Sequence, residues 1–331
     1  MPVVSAISCK IPKSKINNDY FFNYHDEDYV IKSNNLTGVK TRYWSSSETT
    51  LSMCVDAAND ILKRYSTAVD NKELRSEIDL LIFITQTPDV MMPAISYQAH
   101  DLLELSDECS CLTLNAGCTS YVEGINLAFE LIEMRGLRNV LLLVGDQLSK
   151  YLNIKDFSTA SVFGDAGSAT LISNSNNNND KILFLNGKIP NSSGALELEL
   201  PSYKTDNFLK MDGFNVFTFA INNIPKIIAK AELEWEEKYS EQLCTDLYLL
   251  HQANNMITNH VAKKMKISSD KIPSNISKYG NTSGVTIPLL ICTLNKQHIN
   301  EKVILLCGFG VGLSWSVLVM NNFKLDHTNV I

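Results

Sequence analysis

The sequence predicts an α/β protein built from two related halves, and three observations carry that prediction. Apolar runs at 79–85, 139–145, 246–252 and 302–308 are long enough for buried strands and too short for helices. Stretches apolar around most of a helical circumference lie between them. The two sides of the chain also repeat one another in the same order.

In chain order, residues 79–85 are the first of these strands, and 111–115 form a second that runs into the small residues Asn115-Ala116-Gly117. A helix follows over 121–134, where Val122, Ile125, Leu127, Phe129, Leu131 and Ile132 leave almost no polar face, as expected of a buried helix. The strand 139–145 closes this half. A polar, turn-prone run at 173–180, mostly Asn and Ser, reads as a surface loop. It separates an N-terminal half, 1–175, from a C-terminal half, 181–331. Beyond it the pattern returns. Residues 246–252 resemble 79–85, Gly280-Asn281-Thr282-Ser283 resembles Gly117-Cys118-Thr119-Ser120, and 302–308 resembles 139–145. The last two matches share one offset, 163 (118 to 281 and 139 to 302). The stretch 284–294 is the second apolar helix. Strands alternating with helices imply βαβ units and sheets covered on both faces.

Composition narrows the function. The chain has 331 residues, longer than one core usually supports, and 45% of them are hydrophobic, which rules out a disordered chain. A net charge of -7 excludes non-specific nucleic-acid binding, because phosphate neutralisation needs an excess of Lys and Arg. Eight cysteines are too few for a disulfide scaffold, and Cys109-Ser110-Cys111 lacks the spacing of a metal site. No signal peptide or bilayer-length apolar run is present, so the expected setting is cytoplasmic, with no membrane partner.

Four features have a setting suited to chemistry. A cysteine chosen at random is a packed thiol. Cys118 stands apart because small residues clear the space before it and a helix starts after it, where the positive dipole end is expected to lower a thiol pKa. His251 lies at the carboxyl end of a buried strand, the usual address of α/β active sites. Asn281 occupies in the second half the place of Cys118 in the first, so a pseudo-twofold axis brings them together. Gly308-Phe309-Gly310-Val311-Gly312 lacks the dinucleotide-binding spacing but suits a supplier of a backbone N–H to an oxyanion.

Cys118, His251-Gln252-Ala253-Asn254, Gly280-Asn281-Thr282-Ser283 and the 308–312 loop together resemble the thiolase-fold condensing enzymes, most closely the β-ketoacyl-acyl-carrier-protein synthase III family. The resemblance spans nearly the whole chain, including Thr37-Gly38-Val39, Phe163-Gly164-Asp165-Ala166-Gly167 and Met211-Asp212-Gly213. Asn281 stands where the Cys–His–His synthases need a second His, and plant-type polyketide synthases are typically longer. The resemblance implies two βαβαβαββ halves in an αβαβα sandwich and a homodimer. It also implies acylation of Cys118 by an acyl thioester, then decarboxylative condensation with a malonyl thioester. His251 and Asn281 would donate to the malonyl thioester carbonyl, and the N–H groups of Cys118 and Val311 would form the oxyanion hole. Met92, Phe163 and Phe217 are implied as walls of the acyl tunnel, Met92 through a loop that reaches the partner subunit. No metal or other cofactor is needed, since phosphopantetheine arrives on the substrate.

Departures from the family fall at one place. Lys32 and Phe157 stand at the positions that sandwich adenine in members primed by acetyl-CoA, and Leu36 and Met256 replace two Arg. These changes remove stacking and phosphate-directed charge together, so both acyl groups are expected on carrier protein rather than CoA. Lys263, Lys264 and Lys266, with Lys32, Lys40 and Arg42, are the candidate basic surface for an acidic carrier. Two rival functions share the fold: acyl transfer from Cys118 to an amine, hydroxyl or thiol, and a non-catalytic carrier-binding subunit. The intact Cys118, His251 and Asn281 argue against the second.

Overall fold

The computed structural model describes residues 1–65, 73–175, 180–199, 207–300 and 302–331. The strands of the two main sheets are β1 (Pro2–Lys10), β2 (Ile78–Ile84), β3 (Ser110–Leu114), β4 (Asn139–Asp146), β5 (Ala166–Asn174), β6 (Ile182–Lys188), β7 (Leu247–Leu250), β8 (Lys302–Gly310), β9 (Ser314–Phe323) and β10 (His327–Val330). The helices that matter here are α1 (Glu27–Thr37), α2 (Thr50–Tyr65), α3 (Ser120–Arg135), α4 (Gly213–Tyr239), α5 (Asn255–Met265) and α6 (Thr286–Thr293).

One sheet has the order β10-β1-β5-β4-β2-β3 and the other β7-β8-β9-β6. Setting β10 aside, the two follow the same plan: β1, β5, β4 and β2 match β6, β9, β8 and β7 in neighbours and in strand direction. β3 has no counterpart among the described strands of the second sheet. Ile272–Asn275 runs through the corresponding stretch without forming a strand, and Pro273 there lacks the N–H that a ladder requires. The final strand, β10, belongs to the first sheet, where it lies parallel to β1. The polar run expected as a loop over 173–180 starts later: Ser173 and Asn174 complete β5, and 176–179 lie outside the described residues.

The period-2 geometry of the strands sorts their side chains into layers. On β4, Val140, Leu142 and Val144 pack with Val122, Ile125 and Ile132 of α3, while Leu141 and Leu143 face Cys54, Ala58 and Ile61 of α2. On β8, Ile304 and Leu306 join the same central cluster as Ile287, Leu290 and Ile291 of α6. Leu305 and Cys307 point the other way, to α4 and α5. Helices α3 and α6 are therefore the shared middle of five layers, which explains why both are apolar nearly all round. The sandwich also sets the site, because the turns that open α3 and α6 meet between the sheets. A Cβ on Gly284 would stand 2.9 Å from Ser120 Cβ and 3.3 Å from Gly117 O.

Candidate active site

Cys118 sits in the single turn Gly117–Thr119 that leads into α3. Gly117 has φ +56°, and a Cβ there would press on Val311 Cβ at 2.9 Å, so the turn needs glycine on both counts. The sulfur is buried. The Val311 N–H and the Ser283 hydroxyl both lie within its reach. Burial pushes the thiol up to about 11, with Asp146 adding to the rise, and the Val311 and Ser283 donors recover only part of it. The lowered pKa expected from the helix end is therefore not what the fold delivers: removing the sulfur from water outweighs the dipole when no cation stands nearby.

His251 follows the last residue of β7, and its N–H is held by Cys307 O at 2.8 Å. Its ring packs edge-on against Phe309, with centroids 5.4 Å apart. Burial holds the imidazole at about 3, so it is neutral. Nδ1 lies 2.6 Å from Thr286 Oγ1, which donates to Ser283 O at 3.0 Å.

Asn281 is fixed by its backbone, which bonds Val162 O at 2.8 Å and accepts from Gly164 N at 3.0 Å, tying it to the segment that carries Phe163. Its Oδ1 accepts from Ser283 N at 2.9 Å. With the oxygen engaged, the NH₂ group is the part left for a ligand.

The three residues expected from the sequence line one cavity of about 160 Å³, together with Phe163, Phe217 and Gly310. Cys118 also lines a second cavity of about 450 Å³, walled by Leu148, Phe163, Leu196 and Leu209 together with the polar Gln86, Asp89, Asn115 and Glu199. Cys118 and Phe163 belong to both. Phe217 lines only the first. Met92 lines neither and is 86% exposed; its neighbour Met91 reaches the larger cavity instead.

Lys263, Lys264 and Lys266 are exposed at the C-terminal end of α5, whose N-cap Asn254 borders the smaller cavity. Arg42 is not part of that surface. It is fully buried, bonded to Asn18 Oδ1 at 2.7 Å and stacked 5.1 Å over the Phe21 ring, and burial lowers its pKa to about 10.

Residues that local sequence patterns did not single out surround the sulfur. Ser283 adopts φ +54°, a conformation rare outside glycine and often found at functional sites. Gln86 Nε2 donates to Ser283 Oγ at 2.9 Å and to the buried carboxylate of Asp146 at 3.2 Å. The repeat held a clue to Gln86. It stands two residues past the end of its strand, as Gln252 does in the second half.

Two family descriptions match this chain: "3-Oxoacyl-[acyl-carrier-protein (ACP)] synthase III" over residues 112–187, and its C-terminal counterpart over 243–321. Over nearly its full length, the chain is 30% identical to a β-ketoacyl-[acyl-carrier-protein] synthase III of Lactobacillus helveticus, covering 96% of this chain and 97% of that one. It belongs to the 3-oxoacyl-acyl-carrier-protein synthase III family. A synthase III of Clostridium novyi is 32% identical over 84% of this chain and 86% of its own. The crystal structure of a 3-oxoacyl-(acyl-carrier protein) synthase from Burkholderia xenovorans superposes with a TM-score of 0.91, at 30% identity, over 100% of this chain and 96% of that one. This member of the synthase III family thus has the thiolase-type sandwich and is an acyl-transferring condensing enzyme. Among its described residues no helix is long and apolar enough to cross a membrane.

Proposed function

We propose that this synthase acylates Cys118 from an acyl thioester and then condenses the acyl group with a malonyl thioester on carrier protein. One observation carries the reading: Cys118 is shared by two cavities, a larger rear one with Leu148, Phe163, Leu196 and Leu209 among its walls and a smaller front one lined by His251 and Asn281. The rear cavity suits the acyl chain, and the front one suits the phosphopantetheine arm that delivers each thioester.

In the resting site Cys118 is a thiol and His251 a neutral imidazole. Attack therefore begins with transfer of the thiol proton to His251 Nε2 as the S–C bond forms. The C–S bond to pantetheine then breaks, and that proton leaves with the departing thiol. The Cys118 and Val311 N–H groups face the tetrahedral oxygen. In the second step the bond from the malonyl α-carbon to its carboxylate breaks, releasing CO₂. The enolate oxygen is held by Asn281 Nδ2 and by His251 in its Nε2–H tautomer. Thr286 complements that tautomer when its hydroxyl turns from Ser283 O towards Nδ1. The enolate carbon attacks the acyl carbonyl, the bond to Cys118 sulfur breaks, and the thiolate left behind takes a proton from water. The product is a β-ketoacyl thioester.

Carrier protein is the favoured donor for both groups. Phe157 is buried, its ring packed against Phe21, His25 and Tyr29 at 5.1–5.3 Å, so no face is left for a nucleobase. Leu36 and Met256 present apolar side chains where phosphate-directed charge would be needed. A homodimer is supported by β3, which among the described residues pairs only with β2 and exposes Leu112 and Leu114. A second copy covering that edge makes a homodimer, and the exposed Met92 is then placed to reach a partner's acyl cavity.

The test is intact-mass analysis of Cys118 acylation, followed by CO₂ release on adding malonyl-carrier protein. Acylation by acyl-carrier protein with CO₂ release supports the reading. Acylation without CO₂ release reduces the protein to a plain acyltransferase, and efficient labelling by acetyl-CoA removes the carrier preference.

A further inference from the structure

The rear cavity joins apolar walls, Leu148, Phe163, Leu196 and Leu209, with polar ones, Asp89, Asn115 and Glu199, and the carboxamide of Gln86 lies at its Cys118 end. The orientation of that amide follows from its neighbours. Burial raises the Asp146 pKa, but its Oδ1 accepts from Gln86 N at 2.8 Å and from Thr85 Oγ1 at 3.2 Å, and these donors favour the acceptor form of the carboxyl. The Ser283 Oγ that Gln86 also meets has its own proton within reach of Asp146 and of the Cys118 sulfur. Turning the amide over would set its oxygen against the carboxylate. Nε2 therefore uses both protons inward, and Oε1 is the group that remains. It lies 3.4 Å from where a Cβ on Gly117 would stand, beside the residue that precedes the nucleophile. No side chain or backbone donor pairs with it among the described residues. An acceptor in this position is a cost to a purely alkyl chain, which would bury it without a partner.

We propose that Gln86 determines acyl specificity, and that the acyl group accepted on Cys118 carries a hydroxyl on its second or third carbon that donates to Gln86 Oε1. The inference rests on Cys118 being the acylated residue. Carbons close to the thioester lie at the Gln86 end of the cavity, and the rest of the chain meets Leu148, Phe163, Leu196 and Leu209. A site built around an acceptor discriminates strongly against the analogue that lacks the donor, because the site's own polar group is then stranded.

The experiment offers the full-length protein competing pantetheine thioesters: butanoyl, 2-hydroxybutanoyl, both enantiomers of 3-hydroxybutanoyl, and the corresponding methoxy compounds. The Cys118 adducts are counted by intact mass. The expected result is one hydroxyacyl adduct forming at least about tenfold faster than the butanoyl and methoxy adducts. In Gln86→Leu that ratio falls to near one. The ratio is read within each protein, so a general loss of rate in the variant does not obscure it. Should the variant not fold, the wild-type ratio still decides. Equal labelling by hydroxyacyl and butanoyl thioesters overturns the inference while leaving Cys118 as the acylated residue. An absence of adduct from every thioester overturns that underlying reading as well.

Discussion

Gly310 passes so close to Cys118 that a Cβ on residue 310 would stand 2.7 Å from the sulfur. The glycine also has φ +156°, which side chains rarely adopt, and it directly precedes Val311, whose N–H lies within reach of that sulfur. Clearance for the Cys118 sulfur and placement of the Val311 N–H, the proposed oxyanion donor, thus depend on one missing methyl group. In Gly310→Ala either the sulfur or the loop must move. Since one misplaced oxyanion donor costs about 10²–10³ in rate, Cys118 acylation is expected to slow at least a hundredfold. Circular dichroism should stay unchanged, and an Ala variant acylating at the parental rate would show that the close approach is unimportant.

The resting ionisation of the pair gives a pH test. Burial pushes the Cys118 thiol up to about 11 and holds the His251 imidazole down at about 3. Between these values the site is thiol plus neutral imidazole, and the thiolate fraction grows with each unit of pH. Alkylation of Cys118 by iodoacetamide should therefore quicken roughly tenfold per pH unit from 7 to 10. A preformed thiolate–imidazolium pair would instead give a rate that levels off below pH 7.

That comparison marks what could be read from the sequence and what could not. The strands 79–85, 139–145 and 302–308 were legible because both faces of each are covered, which leaves continuous apolar runs. Cys118, His251 and Asn281 were legible because the repeat aligns two turns and the fold brings them together. The thiol pKa was not, since a helix end is a local feature whereas desolvation depends on every layer around the sulfur. Gln86 escaped notice for a similar reason: its partners Asp146 and Ser283 lie 60 and 197 residues away. Arg42 looks like a surface base in Lys40-Thr41-Arg42, and only the packing of Phe21 and Asn18 over it shows otherwise.

Ser283 should be a tuning residue. Its hydroxyl can donate to Asp146 while Cys118 is a thiol and to the sulfur once the thiolate forms. A hydrogen bond to a charged group contributes about 1.5–3 kcal/mol, so Ser283→Ala should slow alkylation at pH 8 by roughly ten- to a hundredfold. The whole pH profile would shift to higher pH. A loss of rate with no shift would assign Ser283 to packing alone.

The basic end of α5 bears on carrier recognition. Lys263 and Lys264 are exposed about 12 Å along the helix from its start near the smaller cavity. Replacing both by Glu should lower kcat/KM for malonyl-carrier protein about tenfold, an effect that fades as salt is raised, because exposed charges act mainly on encounter. Malonyl pantetheine has no acidic surface and should be used as before. Equal losses with both substrates would place the lysines in folding rather than docking.

Asn281 separates the two half-reactions. Its Oδ1 is held by Ser283 N, which leaves its NH₂ for the enolate oxygen of the proposed second step. Asn281→Ala should slow acylation of Cys118 far less than condensation, since the carboxamide enters that step only through Ser283 N, which its Oδ1 holds. CO₂ release from malonyl-carrier protein should fall by about 10²–10³, the usual loss for one donor to a developing oxyanion. Thr286→Val should give a milder form of the same split, because His251 Nδ1 loses the hydroxyl that complements its Nε2–H tautomer. Loss of acylation and decarboxylation together in Asn281→Ala would mean that the carboxamide serves the nucleophile, and the division of labour between the two cavities would have to be redrawn.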